Sequence, residues 1–219
     1  FFFGLVIRTQ WYIVPSMNAF GTGDWDMTGG SDPWYMKRVV DYILANNAHL
    51  IFDADRAYPL GGVNPRPPLF TWSIALLAMI LEPMLGNDAV WYAILGLPAI
   101  YGALTIFPIA TIAKDNFGKS TGVVAAWLIA FMPAHVSHST WGLADHDAFV
   151  MLFISMGFMF WFKAIKNSGN ERLTKTSSPR ITEILKSFSV VASEKRSAMA
   201  FAVLAGVSFG VASLAWIVR

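Results

Sequence analysis

WYAILGLPAIYGALTIFPIATIA, residues 91–113, runs for 23 residues without a charged side chain. As a helix it reaches about 35 Å, enough to cross a hydrocarbon core about 30 Å thick. Similar blocks recur along the chain. Ser120–Ala144 is uncharged, with two histidines and a polar run in its second half. Ala148–Phe162 is apolar up to Lys163, and Ser197–Val218 is bounded by Arg196 and Arg219. Pro67–Leu81 is shorter, 15 residues between Arg66 and Glu82, and reaches only about 22 Å as a helix. Residues 1–7, FFFGLVI, read as the end of a truncated first membrane helix. The expectation is an all-α polytopic membrane protein with spanning helices over 91–113, 121–136, 148–163 and 197–218. A short membrane-associated helix is expected over 67–82.

The composition agrees. Of 219 residues, 55% are apolar and 14% charged, against about 25% charged in soluble domains. This excludes a disordered chain, a collagen and a basic nucleic-acid-binding domain. No cysteine is present, so disulfides, zinc-thiolate sites and thiol nucleophiles are excluded.

Charge orients the blocks. The loop 163–196 holds eight Lys/Arg against three Glu and is expected to be cytoplasmic. From Pro179 on, Ile181, Ile184, Leu185, Phe188 and Val191 fall at helical spacing, which predicts an amphipathic surface helix. The turn Lys114–Lys119 belongs on the same side, which makes 135–147 external. Residues 82–90 carry Glu82 and Asp88 but no Lys or Arg, a poor cytoplasmic turn. Residues 8–90 are therefore expected to form one external loop. Within it Ser31-Asp32-Pro33 starts a helix that continues to Asn46, with Val39, Val40, Ile43 and Leu44 on one face. Asp53 and Asp55 read as a solvated loop.

Two carboxylate groupings then share the external face. One is Asp32 in GGSDPWYMKR; the other is Asp145 and Asp147 in WGLADHDAFV. Carboxylates in a low-dielectric setting stay ionised only when paired or metal-bound. Asp145 and Asp147 can reach one hard cation, and Mg²⁺ or Mn²⁺ suits such donors. Taken singly, Asp32 before Pro33 and Asp147 before Ala148 are more simply read as helix caps. His135, His138 and His146 fit structural or interfacial roles better than a zinc site.

The segments SDPWYMKR, YPLGGVNPRPPLF and ADHD, in this order, resemble the catalytic subunit of oligosaccharyltransferase in its archaeal form. Asp32, Pro33, Trp34, Tyr35 and Arg38 match the family's first acidic motif, and Asp145 and Asp147 its second. The resemblance implies a C-class glycosyltransferase-like membrane fold. It implies transfer of an oligosaccharide from a polyprenyl or dolichyl phosphate carrier to Asn of Asn-x-Ser/Thr in an acceptor polypeptide. Asp32, Asp145 and Asp147 are implied as catalytic, metal-ligating residues for Mg²⁺ or Mn²⁺, with Arg38 and His138 as substrate contacts. The implied location is the plasma membrane, multi-pass, with the catalytic face external. Two positions depart from the pattern. Gly30 replaces the usual acidic residue two before Asp32, and His138 stands where many members carry Arg. The family's later catalytic Glu and its sequon-reading Trp-Trp-Asp motif are not in this stretch, so the chain alone is expected to be inactive. Another glycosyltransferase using lipid-phosphate sugars, or a transporter with external carboxylates, are the alternative readings.

Overall fold

Proline and glycine set most helix boundaries in the computed structural model, which describes residues 1–10, 25–168 and 196–216. Helix α1 spans Phe2–Thr9 and α2 spans Ser31–Asn46. Gly30 precedes α2 with φ +77°, and Asn47 ends it in the left-handed conformation, a common helix stop. Two-residue strands β1 (Phe52–Asp53) and β2 (Gly62–Val63) pair antiparallel. Helix α3, Pro68–Leu85, begins with proline in its first turn and ends at Gly86, φ +56°. A 3₁₀ turn, Gly86–Asp88, leads into α4, Ala89–Leu104. There follow α5 (Ile106–Phe117), α6 (Lys119–Phe131), α7 (Pro133–Ser137), α8 (Asp147–Ser168) and α9 (Arg196–Ser213). Apart from the small hairpin, the regular structure of the described residues is all-α.

Several of these boundaries differ from the sequence reading, each for a local reason. The stretch 91–113 is divided at Thr105 between α4 and α5. Pro108 has no N–H to offer the Leu104 carbonyl, and its ring crowds that carbonyl. Thr105 keeps right-handed helical angles, so α5 continues α4. The stretch 121–136 is broken at Met132, which is extended (ψ 115°), as the residue before Pro133 must be. Helix α8 runs on to Ser168, and α3 has 18 residues, about 27 Å. Among the described residues three stretches are long and apolar enough to cross a membrane: Pro68–Phe117, Asp147–Ser168 and Arg196–Ser213. The first folds back on itself, because α3 packs along α4. The amphipathic helix expected beyond Pro179 lies outside the described residues.

The core joins α2, α3, α4 and α8. Met36, Val39, Val40 and Ile43 of α2 are buried with Phe70 and Ile74 of α3, Ile94 of α4, and Phe149 of α8. The Phe149 ring meets Tyr101 edge-on at 5.1 Å and Phe70 at 6.0 Å. Helix α9 packs along α8, and α6 along α5. At one end of α8, Lys166 Nζ donates to the Asp115 carbonyl at 3.1 Å, beside the α5–α6 turn. The acidic segment occupies the other end.

A buried arginine fixes the approach to that segment. Arg8 is fully buried. Its Nε donates to Ser139 Oγ at 2.8 Å, and Nη1 donates to the carbonyls of Gly4 (2.8 Å) and Ala130 (3.2 Å). Its own carbonyl accepts the Trp141 N–H at 2.8 Å. These bonds satisfy orphan carbonyls at the end of α6 and tie α1 to residues 139–141. Gly102 makes room: a Cβ there would strike Ser139 and lie 2.7 Å from Arg8 Nε.

Candidate active site

Asp32 is the second residue of α2. The residue before the helix is Gly30, and no side chain caps the helix. The capping reading of Asp32 therefore does not hold. The positive end of the helix dipole still favours a carboxylate there. Its Oδ1 instead pairs with Arg66 Nη2 at 2.6 Å. Arg66 is held at its backbone: its N–H donates to Asn64 Oδ1 at 2.9 Å, and Asn64 Nδ2 donates to the Leu50 carbonyl at 2.8 Å. Prolines 65 and 67 on either side stiffen the same stretch.

The second segment folds tightly onto itself before α8. The Asp145 N–H donates to the Leu143 carbonyl, and the His146 carbonyl accepts the Val150 N–H, both at 2.9 Å. Asp145 Oδ1 accepts the His146 N–H at 2.7 Å and lies 2.5 Å from His146 Nδ1. Asp147 is the first residue of α8. Its Oδ2 is 2.9 Å from His138 Nδ1, and its Oδ1 is 3.9 Å from His146 Nε2. One ligand atom each from Asp145, His146 and Asp147 lie within 4.8 Å of one another. Two carboxylates and an imidazole at this separation suit a divalent cation, with oxygen donors in the majority. His135 turns away, its Nε2 3.2 Å from the Gly102 carbonyl.

Burial pushes the Asp145 carboxyl up, but the hydrogen bond and charge of His146, the His146 N–H and the charge of Arg66 outweigh it. The net direction is below the ordinary carboxylate value, so Asp145 is an anion at neutral pH.

The two segments are joined in three ways. The Thr28 N–H donates to the Gly142 carbonyl at 3.0 Å, and the Gly142 N–H donates to the Leu95 carbonyl at 3.1 Å. A Cβ on Gly29 would strike Leu143, so the chains meet at van der Waals contact. Arg66, which pairs with Asp32, also acts on Asp145 through its charge. Asp32 is outside the Asp145–His146–Asp147 group and connects to it through Arg66.

Arg38 and His138 are already engaged. Arg38 Nε donates to Asp53 Oδ2 at 2.9 Å, and its Nη2 donates to Asp53 Oδ1 at 2.8 Å and to Asp55 Oδ2 at 2.5 Å. Asp53 is 2% exposed, which corrects the solvated-loop reading for that residue. Arg66 is a site residue that residue type alone does not mark. Its signal was a single cation locked between prolines immediately before an apolar block.

The family described as oligosaccharyl transferase STT3, N-terminal, matches residues 2–218. The chain belongs to the STT3 family. Among STT3-type relatives it is 32% identical over 120 residues to dolichyl-phosphooligosaccharide-protein glycotransferase 3 of Archaeoglobus fulgidus, covering 54% of this chain and 14% of that protein. It is 32% identical over 147 residues to the STT3 subunit of the Saccharomyces cerevisiae dolichyl-diphosphooligosaccharide–protein glycosyltransferase, covering 62% of this chain and 20% of that one. The chain thus spans a fifth or less of the length of these relatives. The fold matches the Archaeoglobus fulgidus oligosaccharyltransferase AglB, solved with an inhibitory peptide and a dolichol-phosphate. The TM-score is 0.76 at 23% identity, over 98% of this chain and 22% of that one. An Archaeoglobus fulgidus oligosaccharyltransferase solved with zinc and sulfate matches with a TM-score of 0.75 at 23% identity over 98% of this chain and 24% of that one.

Proposed function

We propose that this chain forms the carboxylate-bearing part of an oligosaccharyltransferase site. The reaction transfers a glycan from a dolichyl or polyprenyl phosphate carrier to the side-chain nitrogen of Asn in Asn-x-Ser/Thr. One observation carries the reading most: the hydrogen bond from Thr28 to Gly142 holds Asp32 and the Asp145–Asp147 segment at one end of the helices. Family membership supports the chemistry.

Asp145 and Asp147 are the residues that would hold a divalent cation, with His146 beside them and Asp32 completing the set from α2. Mg²⁺ or Mn²⁺ suits the carboxylates, and the imidazole admits Zn²⁺ as well. When bound, such a cation supplies positive charge that stabilises phosphate oxygens on the departing carrier. The chain's own residues do the remainder. His138 orients the Asp147 carboxylate through one oxygen and leaves the other free, as outer-shell partners do. A carboxylate oxygen left unpaired accepts a hydrogen bond from the acceptor amide and positions its nitrogen. Arg38, clamped to Asp53, shapes the loop rather than touching substrate.

The acidic end belongs on the external face of the plasma membrane, opposite Lys114, Lys119 and Lys166. Helix α3 belongs with the external loop, leaning on α2 and α4. The test is transfer by the full-length protein, using a dolichyl-phosphate oligosaccharide and a peptide containing Asn-x-Thr. Glycopeptide formation that vanishes when Asn is replaced by Gln supports the reading. A protein that binds the donor and forms no glycopeptide contradicts it.

A further inference from the structure

Two arginines of the external loop meet carboxylates in opposite ways. Arg38 grips Asp53 with both Nε and Nη2 and reaches Asp55 as well. That planar fork is a structural clamp. Arg66 Nη2 lies 2.6 Å from Asp32 Oδ1. Its Nε is sealed from solvent and has no hydrogen-bond partner among the described residues. A guanidinium built as a clamp would use that donor. The Arg66 backbone, by contrast, is firmly fixed by Asn64. The side chain is thus delivered to the carboxylates but only lightly attached to them. Asp32, its partner, has a side chain 56% exposed, open to exchange.

We propose that Arg66 is a built-in stand-in cation: it neutralises Asp32 before metal arrives, and a divalent cation engages Asp32 only by displacing the guanidinium. The proposal rests on the metal-site reading above. Asp32 sits at the same end of the fold as Asp145 and Asp147, and a counter-charge lowers the cost of gathering anions there. Arg66 supplies that charge without occupying the Asp145–His146–Asp147 group itself. A stand-in of this kind weakens metal binding, because every binding event must break the Arg66–Asp32 pair. Removing it therefore has the opposite sign from removing a structural residue.

The test is Mn²⁺ binding to the full-length protein in detergent, read from the loss of the free-ion EPR signal, without any turnover. Arg66→Gln should bind Mn²⁺ about twofold to fivefold more tightly than the parent, the scale of one partly exposed ion pair. Arg66→Lys, which keeps a cation, should stay near the parent. Asp147→Asn should bind more weakly. In the unmutated protein, Mn²⁺ should speed phenylglyoxal modification of Arg66, followed by mass spectrometry, so the outcome does not hang on a variant that folds. Unchanged or weaker Mn²⁺ binding by folded Arg66→Gln, or an Arg66 no more reactive with Mn²⁺, overturns the proposal. If Asp147→Asn binds Mn²⁺ like the parent, the metal-site reading itself fails, and this proposal with it.

Discussion

The Thr28 N–H meets the Gly142 carbonyl at 3.0 Å, tying the lead-in to Asp32 directly to the lead-in to Asp145. These residues are more than a hundred positions apart, and this is the backbone hydrogen bond that joins the two acidic segments. Gly142 serves it from a left-handed conformation, φ +98°, while its own N–H bonds to Leu95. An alanine there costs about 1–2 kcal/mol of backbone strain. Gly142→Ala should lower the melting temperature of the full-length protein slightly and its transfer activity more. A drop in stability without loss of transfer would show that this junction does not set the site.

The Arg38–Asp53 clamp makes a pH prediction. The hydrogen bond from Arg38 holds the Asp53 carboxyl below its ordinary value against the upward push of burial. A carboxyl lowered in the folded state adds stability above its unfolded value, near pH 4, and loses it as pH falls through the folded value. Asp53→Asn should destabilise the protein by about 2 kcal/mol at neutral pH. The gap between variant and parent should shrink below about pH 4. Melting curves at pH 7, 5 and 3.5 check it; a gap that widens on acidification contradicts the assignment.

The orientation is testable with two matched asparagines. Asn46 and Asn116 are both exposed helix residues that bond the carbonyl four positions back. The chain has no cysteine, so single cysteines report cleanly. An impermeant maleimide on intact cells should label Asn46→Cys and spare Asn116→Cys. Ser139 is unsuitable as a reporter because it is buried against Arg8. The reverse labelling pattern would invert the topology.

Much of this was legible from residue types. Ser31-Asp32-Pro33 with Val39, Val40 and Ile43 on one face predicts α2, and those three side chains are fully buried. The breaks at Thr105 and Met132 were written in Pro108 and Pro133, but uncharged composition masks them, because a membrane span tolerates proline. What local sequence cannot carry is partnership across distance. Asp53 looks solvated until Arg38, on another element, closes on it. Asp32 before proline looks like a cap until Gly30 is found in that place and Arg66 on the carboxylate. His146 looks interfacial until its ring lies between two carboxylates.

The claim that Asp32, Asp145 and Asp147 serve one divalent cation is tested most directly by transfer assays on their Asn variants, with and without chelator. Asn is nearly as good a helix cap as Asp, whereas a hard cation strongly prefers carboxylate to amide oxygen. In the full-length protein each of Asp32→Asn, Asp145→Asn and Asp147→Asn should lose more than about 90% of transfer, a cost of at least one factor of ten. Excess Mn²⁺ should restore part of it, helix content should stay unchanged, and chelator should silence the parent. Near-normal, chelator-insensitive transfer by all three variants would contradict the account.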